Sequence, residues 1–186
     1  MNQVIFQLPD LSYTIVLKKE INPLSFSIYK YKYICSMTFL DSINQPIITL
    51  TGNELDFIHL IESLYEFNIN IVAMYGNRFH FTPDQYNNFF FLEFYINEKD
   101  LYLLDRDDFP AENSLQIYFE LFESRYGNIT SRLKFQIDYE YDLEDFIFHL
   151  YQLIEDIPWI DEITSSSLIE WMIDYDLDSR RYSNKN

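Results

Sequence analysis

The stretch LKFQIDYEYDLEDFIFHLYQLIEDI, residues 133–157, holds a strand followed by the clearest helix of the chain. Leu133 to Tyr139 reads as extended. From Asp142 onward, Leu143, Phe146, Ile147, Leu150, Leu153, Ile154 and Ile157 recur at i, i+3, i+4 and i+7, which places them on one face of a helix. Asp142, Glu144 and Asp145 fill the first turn, where the helix dipole favours negative charge, and Pro158 stops the helix. A helix with one apolar stripe must cover another layer, and the strands around it supply that layer.

Working outward, Leu115 to Phe122 is expected to pair with Leu133 to Tyr139 across Tyr126-Gly127-Asn128. Ile69 to Met74 and Arg78 to Phe81 flank Tyr75-Gly76-Asn77, and Phe89 to Ile96 and Leu101 to Leu104 flank Asn97 to Asp100, two further hairpins. Val4 to Leu8 and Tyr13 to Leu17 form another around Pro9 to Ser12. Tyr29, Tyr31, Tyr33, Cys35, Met37 and Phe39 share one parity, opposite to Phe26 and Ile28, so a bulge is expected near Ile28 and Tyr29. After the turn Asp41 to Pro46, a short strand Ile47 to Leu50 leads into Thr51-Gly52-Asn53-Glu54, whose T-x-x-E spacing predicts a capping box and a helix over 52–67 with Glu54, Glu62 and Glu66 facing water. Ser167 and Glu170 repeat that spacing before a shorter helix. The fold expected is α+β: a twisted antiparallel β-sheet of hairpins in a meander, packed by two main amphipathic helices and a short C-terminal helix. It forms one globular domain over residues 1–178 with a polar tail at 179–186. Asp56-Phe57-Ile58 aligns with Asp145-Phe146-Ile147, Ile61 with Leu150 and Leu64 with Leu153, as a duplicated strand-and-helix unit would; any two amphipathic helices also share such a pattern.

At 186 residues one domain is the default, and aromatic residues at 19% favour a sheet-rich core. The single cysteine, Cys35, admits no internal disulfide and suits a reducing, cytoplasmic compartment. No basic leader or apolar run of signal length is visible at Met1 to Gln7, and no stretch reaches the roughly 20 apolar residues of a membrane span.

Thirty acids against 13 bases give a net charge of −17, distributed unevenly. Residues 1–40 hold Asp10 and Glu20 against Lys18, Lys19, Lys30 and Lys32, a net of +2, so the remainder carries −19. Between Asp138 and Asp178 stand 13 acids and no Lys or Arg. Such a field repels nucleic acid and anionic membrane, both of which need basic residues, and attracts a cationic partner. The plainer reading of a charge run is a solubilising face.

Motifs for chemistry are missing. His59, His80 and His149 have no metal-ligand partner at a familiar spacing, and Gly52, Gly76 and Gly127, the only glycines, cannot form a phosphate-binding loop. Asp174, Asp176 and Asp178 imitate a calcium loop, but Ser179 stands where the turn glycine belongs. Asp105, Asp107 and Asp108 read as a solvated loop, Cys35 as a buried, inert thiol, and Asn128-Ile129-Thr130 as a turn. Neither a cofactor nor a catalytic role is expected.

Leu133-Lys134-Phe135-Gln136-Ile137-Asp138 followed by Asp142-Leu143-Glu144-Asp145-Phe146, in an acidic chain of aromatic strands, resembles immunity proteins of bacterial polymorphic and contact-dependent toxin systems, the WapI-type group. The similarity spans roughly residues 47–157. It implies a cytoplasmic protein that binds and neutralises a toxin domain in a stoichiometric complex, and the charge of this chain points to a basic toxin such as a nuclease. A phage-encoded nucleic-acid mimic that inhibits a host defence nuclease shares the charge logic, and a carboxylate-based enzyme is a third possibility. The acids expected at the partner surface, on the ground that they lack local counterions, are Asp142, Glu144, Asp145, Glu155, Asp156, Asp161 and Glu162.

Overall fold

The computed structural model describes residues 2–8, 12–23, 32–69, 76–81, 88–96, 115–125, 128–138, 142–157 and 164–183. The class is α+β, as expected, and the strands divide into two sheets. β1 (Gln3–Phe6), β2 (Thr14–Ile21), β3 (Tyr33–Leu40) and β4 (Pro46–Asn53) form one antiparallel meander, after which α1 (Glu54–Ile69) follows directly. β5 (Gly76–Phe81), β6 (Asn88–Ile96), β7 (Gln116–Arg125) and β8 (Asn128–Asp138) form a second, followed by α2 (Asp142–Ile154) and then α3 (Ser166–Ser183). The order β1-β2-β3-β4 repeats as β5-β6-β7-β8, so the chain is two four-strand-plus-helix units. Phe57 and Phe146, Ile58 and Ile147, Ile61 and Leu150, and Leu64 and Leu153 occupy matching buried positions on α1 and α2, each at most 1% exposed.

Alternation sets the inner face of each sheet, because successive side chains on a strand point to opposite faces. Val4 pairs with Leu17, Leu17 with Met37 and Met37 with Leu50, one apolar row across the first sheet. Phe94, Phe119 and Phe135 form the equivalent row across the second, the Phe119 and Phe135 rings stacking at 5.0 Å and 2°. Phe39 meets Phe135 at 5.2 Å and joins the two inner faces. The helices seal the rest. Phe67 of α1 meets Phe94 edge-on at 5.0 Å, while Phe146 of α2 reaches Phe119 at 5.6 Å and Phe6 at 6.1 Å. The second unit's helix therefore packs on the first unit's sheet, against β1 and β2, and α1 packs beside it. One core results.

Several local expectations are corrected. β4 continues to Asn53, with Thr51 in the ladder opposite Ser36, so the cap of α1 moves to Asn53 and Asp56. Asn53 Oδ1 accepts from the Asp56 N–H at 3.0 Å and Asp56 Oδ2 from the Asn53 N–H at 2.8 Å, a reciprocal capping box two residues later than read. Glu54 does not face water: it is fully buried and accepts from the backbone N–H groups of Lys32 and Tyr33, both at 2.8 Å. Gly76 and Asn77 lie inside β5, paired with Tyr95 and Phe94, and are not a hairpin turn. β6 pairs with β5 and β7, and its expected partner Leu101 to Leu104 lies outside the described residues, as do Ile28 and Tyr29. β7 and β8 do form the expected hairpin, Arg125 opposite Asn128. α3 is capped by Ser165 rather than Ser167, its hydroxyl accepting from the Leu168 N–H at 3.4 Å, and the helix runs to Ser183, through the first residues of the expected tail. No described helix is long and apolar enough to cross a membrane.

Candidate functional site

The helical layer and the sheets differ in charge for a reason visible in the sequence. α1 bears Glu54, Asp56, Glu62 and Glu66; α2 and its exit bear Asp142, Glu144, Asp145, Glu155 and Asp156; α3 adds Glu170 and Asp174 before Tyr175. None of these stretches contains Lys or Arg. Bases fall mainly on the sheets, with Lys18 and Lys19 on β2, Lys32 beside β3, and Arg132 and Lys134 on β8; Arg180 and Arg181 stand in the last turns of α3.

The seven acids expected at a partner surface divide by what they touch. Asp142 is 3% exposed, and its Oδ2 accepts from the Asp138 N–H at 3.4 Å, so it serves the junction between β8 and α2. Glu144, half-buried, accepts from the Asn68 side-chain amide at 3.5 Å. Asp145 accepts from the Tyr175 hydroxyl, which ties α3 to α2, and its carbonyl lies 2.6 Å from His149 Nδ1. Burial, and after it the Asp145 carboxylate, push the Tyr175 phenol well above its usual range. Glu155 is exposed. Asp156 is also exposed but is ion-paired with the buried Lys19, so the expectation that these acids lack counterions fails at this position. Desolvation opposes ionisation of Asp156, and the Lys19 ammonium overcomes it, holding the carboxyl below its usual range. Asp161 and Glu162 lie outside the described residues.

Sequence reasoning missed an aromatic seam in the same layer. Tyr65 of α1 meets Trp171 of α3 at 5.6 Å; Trp171 stacks on Tyr175 at 5.5 Å and 25°; Tyr175 meets Phe148 of α2 at 5.2 Å. Tyr65 is buried, whereas Phe148, Trp171 and Tyr175 are half-buried. Beside this seam stand Glu66, Glu170 and Asp174, all exposed, and Glu62, whose Oε1 accepts from the Ser165 N–H at 3.2 Å. The available signal was the pair of i, i+4 rows on α3, Glu170 with Asp174 and Trp171 with Tyr175, which lie side by side on a helix.

Elsewhere the chemistry is quiet. Cys35 is fully buried and its thiol is pushed up to about 12, chiefly by desolvation and then by Glu54, which agrees with an inert thiol. His149 stacks on Phe6 at 4.3 Å, and His59 is exposed. Among the described residues no three His, Cys, Asp or Glu side chains gather as a metal site. A cleft of about 590 Å³ opens beside β1, β2 and β3, lined by Asn2, Gln3, Lys18, Lys19, Glu20 and Tyr33. The ammonium groups of Lys19 and Lys32 lie 5.3 Å and 5.2 Å from the Tyr33 ring centre.

No family model matches the chain, and no curated protein matches it. Among solved structures, the chain is similar to the plant transcriptional regulator PBF-2, at 10% identity and a TM-score of 0.43, over 96% of this chain and 98% of that one.

Proposed function

We propose that the protein is a stoichiometric, non-catalytic inhibitor that binds a basic protein partner through its helical layer, as an immunity protein binds a toxin nuclease. The observation that supports this reading is the segregation of charge: α1, α2 and α3 as far as Tyr175 carry acids without one Lys or Arg, while Lys18, Lys19, Arg132 and Lys134 sit on the sheets and Arg180 and Arg181 fall only in the last turns of α3. A surface of one sign steers an oppositely charged partner and speeds its association, and nucleases are basic because they hold phosphates. The reading also fits an acidic protein of the bacterial cytoplasm. A nucleic-acid mimic draws less support, because Asp142 is buried and Asp156 is paired with Lys19, leaving fewer carboxylates to imitate a row of phosphates.

The test is capture of the partner from the native host followed by titration of its activity. The expected result is a basic protein whose activity falls linearly to a break at one equivalent of inhibitor. Turnover of a substrate by this protein itself, abolished by one Asp or Glu substitution, overturns the proposal, as does loss of partner activity at catalytic amounts.

A further inference from the structure

We infer that the partner is gripped at the seam between α1, α2 and α3, and that the group received there is an arginine side chain rather than a lysine. This inference rests on the proposed function and names the chemistry its surface would read. The centre of the seam is aromatic: Trp171 and Tyr175 stack in a near-parallel pair, with Tyr65 and Phe148 behind them. Both rings are half-buried; Trp171 packs against the core, Tyr175 packs on Trp171 and Phe148, and both still reach the surface. Tyr175 is also anchored through its hydroxyl to Asp145. Such rigid, amphipathic rings lose little entropy on binding and are typical anchors of protein interfaces.

The flank is carboxylate. Glu170 and Asp174 form an exposed i, i+4 row directly beside the Trp171 and Tyr175 row, and Ile173, 56% exposed, adds apolar surface on the same helix. A planar guanidinium can stack on an indole or phenol face while donating edge-on to a neighbouring carboxylate; an ammonium, compact and strongly hydrated, gains less from that combination. With no Lys or Arg on α3 within one turn of Glu170 or Asp174, and Arg180 and Arg181 only in its last turns, the fitting occupant is an arginine-bearing surface of a basic protein.

Short oligo-arginine and oligo-lysine peptides of equal length are the probes, titrated against the full chain by calorimetry at low and at physiological salt. The wild-type protein should bind the arginine peptide about three- to fivefold more tightly than the lysine peptide, the range expected of a partly exposed cation–π contact. Trp171→Leu should erase that ratio while leaving lysine-peptide affinity unchanged. Because Trp171 also packs on the core, the double variant Glu170→Gln, Asp174→Asn provides a second reading: both positions are exposed, and it should weaken both peptides and shrink the arginine preference. Equal binding of the two peptides by the wild type, or a ratio untouched by either variant, overturns the seam while leaving a purely electrostatic surface and the proposed function standing. No binding of either peptide at low salt overturns both.

Discussion

Glu54 shows how one residue can be misread by rules that hold elsewhere. Its position in a T-x-x-E sequence suggests a solvent-facing cap, yet it is buried and its two oxygens accept from consecutive backbone N–H groups, those of Lys32 and Tyr33. A carboxylate so placed fixes the entry to β3. Glu54→Ala would leave those donors unpaired, so a loss of about 2 to 4 kcal/mol is expected in chemical denaturation, with Glu54→Gln, which keeps an acceptor, costing less. Glu120 is a second case. It is 7% exposed, on the outer side of β7, and its oxygens meet Arg132 and, at 2.7 Å, Lys134 of β8. Desolvation alone would raise its pKa, but the hydrogen bonds and charges of Lys134 and Arg132 outweigh it, so the folded-state value is lowered. A lowered folded-state pKa makes the native protein bind the proton less readily than the unfolded chain. The stabilisation is therefore present above the unfolded value, about 4.3, and is lost as pH falls through the lower folded-state value. Glu120→Gln should cost about 1 kcal/mol at neutral pH, and the wild type should lose that advantage on acidification until the two denaturation midpoints converge. Midpoints that stay parallel down to low pH would show that the bridge adds nothing.

At the scale of elements, α2 is held by a stripe that was fully legible. Leu143, Phe146, Ile147, Leu150, Leu153, Ile154 and Ile157 are all at most 1% exposed, because an i, i+3, i+4 pattern leaves only one way to seat a helix on a sheet. Leu150→Ala should cost about 2 to 5 kcal/mol, and Ile61→Ala, its counterpart on α1, a similar amount; a change within error at either position would mean that its neighbours collapse into the space. The cap of α1 was not legible to the residue, since Thr51 has the chemistry of a cap but is still paired with Ser36, and strand pairing outranks it until Asn53. Gly76-Asn77 was misjudged for a related reason: these residues tolerate positive φ without requiring it, and pairing with Tyr95 and Phe94 keeps them extended. The acidic layer was legible as a run of charge. Which members are turned inward was not, because Asp142 and Glu155 look alike in sequence, yet one closes the strand-to-helix junction and the other meets solvent. Lys19 and Asp156 are 137 positions apart, and only the packing of α2 on the first sheet brings them together.

The whole molecule is a pair of like units with unlike surfaces. Each unit contributes a four-stranded meander and a helix, and the exchange of helix contacts between units ties them into one core, with α2 reaching β1 and β2. With α3 tied to both helices, the exposed acids Glu66, Glu155, Glu170 and Asp174 stand on or beside helices that carry no Lys or Arg until Arg180 and Arg181 in the last turns of α3, so their mutual repulsion is little relieved. A cationic partner relieves that repulsion, and the gain should appear first in the rate of encounter, because steering acts before contact and is screened beyond about 8 Å at physiological salt. Replacement of Glu66, Glu155, Glu170 and Asp174 by Lys changes the layer by eight units of charge, two for each of four sites, at positions that are all exposed. Asp156 is left in place because Lys19 depends on it. The quadruple variant should keep the wild-type circular dichroism spectrum and a thermal midpoint at or above the wild-type value, since like charges are being removed from one another. Its association rate with the captured partner at low salt should fall by about 10-fold or more, within the range that steering commands, and the steep decline of that rate with added salt should flatten. An unchanged rate and salt slope would assign the helical layer to solubility alone and move the search to the outer face of the second sheet, where Phe91 stacks on Phe122 and Tyr95 on Tyr118.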